Sequence, residues 1–566
     1  MKIQERLFSA SNALSLMKEG VPPVLARIFS SRGITQVTEL TKGLDALIPY
    51  ENLKDCLDMG SLLADAVISN KRLLILADYD ADGATACSIA LRALRAFGAN
   101  VDFLIPNRIE HGYGLAKEIA LIAVNQAIKP DFIITVDNGI ASHEGIALCN
   151  EMGVPVLVTD HHLPTEFPPA ARLIVNPSQH GCSFPSKALA GCGVIFYVMW
   201  AMCDELLKRG VEPFDNFQIF ELLPIVAIGT VADVVPLDTN NRILVREGLK
   251  RIHEGCSIPG ILALAKVDNK DIAALTATDI AFSLGPRINA AGRLESMDAG
   301  VACLTTDCSD TATILANSLN TTNIERKEIE TGIVDQAVTQ LLADVVEDRF
   351  TAVLHNKNWH TGVIGIVAGR IKEKVWRPTF VLASGKSGEF KGSGRSIPGF
   401  HLRDALDLVD KRYPGILLKF GGHAMAAGVT VAEGKVNAFS DAFEEVAREL
   451  LTPAQLNQIL ETDGPLDNSE MSLETVAHIK KHVWGQLFPE PSFSASFRVT
   501  NFSKLGKAGN HVRMTLEKDG RLYQGIKFRH ESPSVPDKVK LVFKLDANTF
   551  RNNTTLQLMV EHIEPA

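Results

Sequence analysis

Cysteine is sparse and irregularly placed: nine residues in a chain of 566, no Cys-x-x-Cys pair, and all of them before residue 309. An odd count without framework spacing excludes a disulfide scaffold or a zinc ribbon, and points to reduced thiols filling the core of a cytoplasmic protein. Long apolar runs are also missing. The longest, such as residues 194–202, reach about half of the roughly 20 residues a membrane span needs, so no membrane association is expected. The opening Met1-Lys2-Ile3-Gln4-Glu5-Arg6 lacks the apolar centre of a signal peptide. There is no long repeat and no low-complexity tract. An excess of positive charge is absent as well: the net charge is −9, which argues against a surface coated for nucleic acid.

What is present is an ordinary globular composition, 46% hydrophobic and 22% charged, in a chain too long for one core. Three or four domains are expected. Charge is uneven: residues 493–566 carry 12 Lys and Arg against 7 Asp and Glu. A basic C-terminal module suits a polyanion partner, although ordinary fluctuation in charge would produce the same imbalance.

Residues 1–60 read as short helices. From residue 71 apolar strands at 73–77, 101–105, 132–136, 154–158 and 172–175 alternate with helices at about 84–97, 115–128 and 142–152. Strands apolar throughout, alternating with amphipathic helices, predict a parallel sheet covered on both faces. In such sheets ligands bind beyond the carboxyl ends of the strands. Asp78-Tyr79-Asp80-Ala81-Asp82-Gly83, Asp137-Asn138-Gly139 and Asp160-His161-His162 all fall there. The apolar run 222–231 is read as a further strand ending at Asp233. Residues 310–348 contain no Pro and one Gly and predict a long connecting helix. A second α/β unit follows at 350–450. It carries a strand at 351–354, a helix at about 362–374, a strand at 379–383 and two glycine-rich stretches, 391–396 and 420–428. Beyond residue 492 the period drops to two. Val512, Met514 and Leu516 form one face, Val539, Leu541, Phe543 and Leu545 another, and Leu556, Leu558 and Val560 a third. Turns are expected at Asp519-Gly520 and Arg551-Asn552-Asn553. About five such strands fit a small barrel, an OB-fold being the natural candidate.

Hard divalent ions take carboxylate oxygens, and Mn²⁺-like ions also accept imidazole nitrogen. Asp80 and Asp82, two apart, suit two adjacent ions. Asp137 is poised to bridge them, His161 to add a nitrogen and Asp233 a further oxygen. Asp78 either ligates or orients a ligand, and His162 positions or protonates groups beside the metals. Two ions about 3.5–4 Å apart would bind a scissile phosphate and activate a water, so no nucleophilic side chain is needed. Each aspartate is also a good helix N-cap, Asp82 before Gly83 as much as any. His111-Gly112-Tyr113-Gly114 reads as a plain turn more readily than as a catalytic element. Three basic groups, Pro106-Asn107-Arg108, a compact loop over 285–293 and the cradle-like 392–396, suit a substrate with several phosphates, hence a polynucleotide.

The Asp160-His161-His162 triplet, within Val158-Thr159-Asp160-His161-His162-Leu163-Pro164, resembles the motif for which the DHH phosphoesterase family is named. The 78–83 motif, Thr135-Val136-Asp137-Asn138-Gly139-Ile140 and the 229–237 segment around Asp233 resemble its companions. Residues 283–293 and, in an associated DHHA1 domain, residues 359–366, 392–396 and Gly421-Gly422-His423 look like later motifs. The likeness runs the length of the chain and is to the family's bacterial single-strand-specific 5′→3′ DNA exonucleases.

The resemblance implies an α/β protein in which a parallel-sheet DHH domain and a smaller α/β DHHA1 domain are joined by a long helix, with a C-terminal all-β OB-fold domain. The expected boundaries are 1–60 for an N-terminal helical segment, 61–309 for DHH, 310–348 for the helix, 349–455 for DHHA1 and 456–566 for the OB-fold. It implies two Mn²⁺ or Mg²⁺ ions on Asp80, Asp82, Asp137, His161 and Asp233, with Asp78 close by. Asp137, His162 and Arg287 would act in catalysis. Arg108, Ser393 and Arg395 would hold the 5′ phosphate, Arg287 and Asn289 the scissile region, and His423 would line the groove. Single-stranded DNA would be the substrate and mononucleotides the product. The setting would be recombination and mismatch or fork repair, beside single-strand-binding protein and a RecQ-type helicase, with the enzyme a monomer. Two rivals remain: a DHH phosphodiesterase or pyrophosphatase acting on small substrates, and a DNA-binding scaffold without activity. The basic β-domain weighs against the first, the intact carboxylate set against the second.

Overall fold

The computed structural model describes residues 1–108, 112, 114–343, 348–385, 388–506, 511–530, 534–551 and 553–566. His111 and Tyr113 of the expected turn, Asn552 of the β-hairpin turn and residues 344–347 of the expected connecting helix lie outside the described residues. The N-terminal segment is helical as expected except at its start. There β1 (Lys2–Glu5) is a strand, paired in parallel with residues 459–462.

The first sheet is entirely parallel. It contains β2 (Arg72–Ala77), β3 (Asn100–Leu104), β4 (Phe132–Val136), β5 (Val156–Thr159) and β6 (Leu173–Val175) in the order β3-β2-β4-β5-β6. The period-two alternation of a strand divides its apolar residues between two cores. Leu73, Ile75, Ala77, Ile134, Val136 and Leu157 pack with the helices Ala81–Ala96, Gly191–Lys208 and Leu223–Ala232. Leu74, Leu76, Ile133, Val156 and Val158 pack with the helices Lys117–Val124 and His143–Glu151. The strand order reverses between β2 and its neighbours, the crevice where open α/β sheets bind ligands. The 78–82 and 137–139 segments leave the sheet at that point.

Two readings from the sequence need correction. The run before Asp233 is a helix, Leu223–Ala232, whose residues 223–230 are all buried, and Asp233 is its C-cap. Residues 285–293 are helical too, within Gly285–Leu294, which follows a π-helical turn at Ile280–Leu284. Pro286 sits in the first turn, where its fixed φ and missing N–H do no harm. The connecting helix is present as Ser309–Ala343.

The second sheet holds β7 (Ala352–Asn356), β8 (Thr379–Ser384), β9 (Glu389–Arg395), β10 (Leu417–Gly422) and β11 (Ala426–Ala432), in the order β10-β11-β9-β8-β7, with only β7 and β8 parallel. The two glycine-rich stretches thus supply strands rather than open loops. The glycines of β9 face a packed core: a Cβ on Gly394 would lie 2.5 Å from the Phe380 ring.

The C-terminal domain is a closed barrel of β13 (Phe493–Leu505), β14 (His511–Lys518), β15 (Arg521–Lys527), β16 (Lys538–Phe550) and β17 (Asn553–Pro565), in the order β13-β14-β15-β17-β16. Asp519 and Gly520 join β14 to β15 with positive φ at both positions, the two-residue hairpin turn that matches strand twist. The alternating faces point inward as expected. The partner of β1 is β12 (Ile459–Thr462), in the segment before the barrel. Phe29 stacks on Trp484 at 5.8 Å, and Trp484 on Phe488 at 5.1 Å, so the N-terminal helices, this segment and the barrel share one core with the first domain. Arg32 and Asp463 form a buried ion pair across the same seam, with Nη2 2.9 Å from Oδ2. Among the cysteines, Cys56, Cys87, Cys149, Cys192, Cys203 and Cys303 fill the core as expected, Cys182 is half-buried, and Cys256 and Cys308 are exposed instead. No described helix is long and apolar enough to cross a membrane.

Candidate metal centre and phosphate cavity

The segment leaving β2 turns at once into the helix Ala81–Ala96. Asp80 is its N-cap, accepting from the Asp82 and Gly83 N–H groups at 3.0 Å each. The capping role considered for Asp82 therefore falls to Asp80, through one oxygen. Asp82, the second residue of the helix, reaches across to a different helix and accepts from the N–H groups of Gly191 and Cys192 at 2.6 and 2.9 Å. Asp137 leaves β4 with φ +61°, a conformation that costs a non-glycine residue energy and recurs at functional sites. Its side chain fits only because residue 191 is glycine: a Cβ there would lie 2.5 Å from the Asp137 Cβ.

Asp160 is the organiser of the third segment. Its carboxylate accepts from the N–H groups of Ile140 (2.9 Å), His161 (2.7 Å) and His162 (3.1 Å), and binds His162 Nδ1 at 2.7 Å. The loop is thereby folded so that His161 Nε2 lies 3.2 Å from Asp137 Oδ1, 3.5 Å from Asp233 Oδ2 and 3.9 Å from Asp82 Oδ2. Three overlapping groups, Asp78–Asp80–Asp137, Asp82–His161–Asp233 and Asp137–His161–His162, each bring their donor atoms within 4.8 Å of one another. All six residues expected to hold metal thus lie in one cluster, with His162 beside them. The motif showed the Asp160 carboxylate but not its task, which depends on backbone N–H groups from two loops.

The electrostatics of this cluster suit cations. Burial pushes the carboxyls of Asp78, Asp82, Asp137 and Asp233 above the usual range, and neighbouring aspartates push further. Burial lowers the His161 pKa and keeps its imidazole neutral, the form that ligates. Asp78 Oδ1, His161 Nε2 and Asp233 Oδ2 are buried without a hydrogen bond among the described residues. Unpartnered buried oxygens around one imidazole nitrogen are a donor set for Mn²⁺ or Mg²⁺. Asp160 differs: burial acts upward on it, but the His162 contact and the loop N–H groups outweigh this and hold it below the usual range. Burial acts downward on His162 and is overcome by Asp160, which carries it up to about 9.

A second feature adjoins the cluster. Alternation along β9 puts Lys391, Ser393 and Arg395 on one face, where Ser393 and Arg395 join Arg108 in lining a cavity of about 350 Å³. Arg108 lies over the Tyr79 ring at 5.0 Å, which ties it to the first aspartate motif. Burial and the charge of Arg108 lower the Arg395 pKa. The N–H groups of 392–395 are committed to ladders with β8 and β11, so the expected backbone cradle is not available there. The start of the helix Ile364–Val375 faces the cavity instead through Ile364 and Gly365, and a helix N-terminus attracts anions. His423 is exposed, and burial together with the nearby His162 charge lowers its pKa.

Asn289 lies against the metal cluster, accepting from the Ala81 N–H at 3.0 Å. Arg287 does not. It is 4% exposed and its guanidinium is spent inside the protein: Nε donates to Asn320 Oδ1 at 3.0 Å, Nη1 to the Ser283 carbonyl at 2.8 Å and Nη2 to Asp268 Oδ1 at 2.5 Å. Its guanidinium is thus engaged by Asp268, Ser283 and Asn320. The arginine that helix Gly285–Leu294 offers to the site is Arg293, whose Nη1 donates to the Gly362 carbonyl at 3.2 Å beside the cavity.

The DHH family N-terminal domain matches residues 72–230, the DHHA1 domain 328–449 and the RecJ OB domain 462–562. The single-stranded-DNA-specific exonuclease RecJ of Escherichia coli (strain K12) is 44% identical over 561 residues, covering 96% of each chain. That of Bacillus subtilis (strain 168) is 32% identical over 553 residues, covering 96% of this chain and 68% of that one. Among solved structures, RecJ from Thermus thermophilus in complex with Mn²⁺ superposes with a TM-score of 0.83 at 29% identity, covering 100% of this chain and 79% of that one. The Mg²⁺ complex gives 0.78 at 27% identity, covering 100% and 78%.

Proposed function

The chain belongs to the RecJ family of single-stranded-DNA-specific exonucleases with Mn²⁺ or Mg²⁺ as cofactor, and from that premise we propose that it works from the 5′ end, releasing mononucleotides by two-metal-ion hydrolysis. The observation that carries the proposal is the convergence of Asp78, Asp80, Asp82, Asp137, His161 and Asp233 beside a cavity lined by Arg108, Ser393 and Arg395.

Those six residues would hold the ions. Bound divalent cations supply Lewis-acid polarisation of a phosphate and a more acidic water. The protein's own groups do the rest. Arg108, Ser393 and Arg395, with the N-terminus of the helix Ile364–Val375, bind the 5′-terminal phosphate and fix the register of the strand. Because that cavity adjoins the cluster, the next phosphodiester is the one presented for attack. Asn289 keeps the 78–82 turn in place. Asp160 holds His162 by Nδ1 and so orients its ring to hand a proton to the departing 3′ oxygen. His423 closes the groove from the second domain. The barrel, with Phe502 and Phe528 exposed at 41% and 53%, grips the strand further along, whereas Phe493, Phe497, Tyr523 and Phe543 are core. The biological reading rests on the resemblance: a monomer in the cytoplasm, acting in recombination and mismatch or fork repair with single-strand-binding protein and a RecQ-type helicase.

The test is a time course on one long single strand labelled at either end, with Mn²⁺, Mg²⁺ or EDTA, and the same strand annealed as a blunt duplex. Metal-dependent release of a mononucleotide from the 5′ label, absent on duplex, is the expected result. Initial release from the 3′ label would overturn the polarity, and cleavage confined to dinucleotides would point to a small-substrate phosphodiesterase.

A further inference from the structure

The cavity between β9 and the start of the helix Ile364–Val375 is larger and more strongly charged than one terminal phosphate requires. Its volume is about 350 Å³. Four oxygens, at a water's share of liquid volume, take up roughly 120 Å³. Three cations line the cavity, Arg108, Lys391 and Arg395, and no carboxylate does. A phosphate monoester carries about −1.5 to −2 at neutral pH, so one cation is left over. Antiparallel pairing of β9 with β11 sets Arg395 opposite Ala426, Ser393 opposite Gly428 and Lys391 opposite Thr430. Arg395 Nη1 lies 3.3 Å from Ser393 Oγ, so these two side chains form one contact zone. Lys391 forms a second, its Cα about 13 Å along the strand from that of Arg395. The Lys391 side chain has no ion pair or hydrogen bond among the described residues. The shelf between the zones is left open by Gly428, where a Cβ would have only the Gly392 carbonyl oxygen, at 3.8 Å, within 4 Å. Thr361 adds a hydroxyl to the same wall.

A single phosphate leaves Lys391 and the open shelf unused, whereas a row of phosphates laid along β9 would engage both zones. Its extra negative charge would also balance the third cation. We propose that the cavity accepts strands whose 5′ end is a diphosphate or triphosphate as well as a monophosphate. Arg108, Ser393 and Arg395 take the phosphate next to the sugar, and Lys391 and Thr361 take the outer ones. The proposal rests on the exonuclease reading above and adds to it a substrate class. The hydrolysis is unchanged in kind. A water oxygen bonds to the phosphorus of the second nucleotide, the bond from that phosphorus to the 3′ oxygen of the first breaks, and the 3′ oxygen gains the proton that water gives up. The first product is then a nucleoside 5′-diphosphate or triphosphate. The shortened strand carries an ordinary 5′ monophosphate, and every later product is a mononucleotide.

The experiment uses the full chain in Mn²⁺ and two single DNA strands of one sequence, one ending in a 5′ monophosphate and the other in a 5′ triphosphate. Products are separated by anion-exchange chromatography. The wild type should release the nucleoside triphosphate intact from the second strand, with kcat/KM comparable to that on the first. Lys391→Ala should lower kcat/KM on the triphosphate strand about tenfold more than on the monophosphate strand, the loss of one hydrogen bond between charged groups. Lys391→Arg should restore the ratio. A triphosphate strand left intact by a wild type that degrades the monophosphate strand would overturn the proposal and leave the exonuclease reading standing. So would release of inorganic phosphate or pyrophosphate ahead of any nucleotide, or a ratio unchanged by Lys391→Ala. A wild type that degrades neither strand would overturn the exonuclease reading, and the proposal with it.

Discussion

At the scale of single residues, two side chains named by the sequence motifs have roles that only their partners reveal. Asp160 touches no other member of the carboxylate cluster by hydrogen bond; it folds the loop that presents His161 and holds the charge on His162. Asp160→Asn keeps the acceptor for backbone N–H groups but removes the negative charge. Mn²⁺ affinity measured by calorimetry should fall by about 10–100-fold, while the melting temperature changes little. Arg287 is the opposite case, an arginine in a motif that looks catalytic and is consumed by Asp268, Ser283 and Asn320. Arg287→Ala leaves buried Ser283 and half-buried Asp268 and Asn320 without their donor, a loss of about 1–3 kcal/mol. Urea titration should therefore show the damage, and kcat of the folded enzyme should not. A collapse of kcat at an unchanged urea midpoint would return Arg287 to the chemistry.

At the scale of elements, legibility followed burial pattern. β2, β4 and β5 are apolar along their length and end abruptly in Asp or His, so their order and the carboxylate edge could be read directly. The helix Leu223–Ala232 could not: buried on every side, it shows no 3.6-residue period and looks like a strand. Helix Gly285–Leu294 was hidden by its Gly and Pro, which suit a loop in isolation and a tightly packed helix here; a Cβ on Gly292 would lie 1.8 Å from the Tyr79 carbonyl oxygen. β1 was missed because its partner β12 is remote in sequence. The aromatic seam beside β12 makes a pH prediction. His482 lies edge-on to Phe29 at 4.8 Å, and burial first, then the charges of His478, Arg246 and Lys481, pull its pKa down to about 4. The unfolded chain takes up this proton near pH 6.5 and the folded chain only near 4. The stabilisation is therefore full above about pH 6.5 and is lost as pH falls toward about 4, by up to about 3 kcal/mol. His482→Phe should flatten that decline in urea melts between about pH 7.5 and about 4.5. The raised carboxyls of the metal cluster act in the other direction and are common to both proteins.

At the scale of the whole molecule, the barrel is seated by the N-terminus. The β1–β12 pairing, the Phe29–Trp484–Phe488 stack and the buried Arg32–Asp463 pair all lie on one seam. Arg32→Ala leaves buried Asp463 with only the longer Arg6 contact at 3.5 Å as counter-charge, a loss of up to about 3–5 kcal/mol. The expected sign is early proteolytic cleavage within residues 456–492 while the DHH and DHHA1 domains stay intact. Simultaneous degradation of all domains would mean that the seam is not a separable unit.

That seam also imposes an order on biosynthesis. Arg6 meets Asp463 across a separation of 457 residues, and β1 closes on a strand just before it. At about 5–20 residues per second, β1 waits on the order of a minute for its partner. Pairing of β1 with β12 is therefore a late step in synthesis, a contact of high sequence separation.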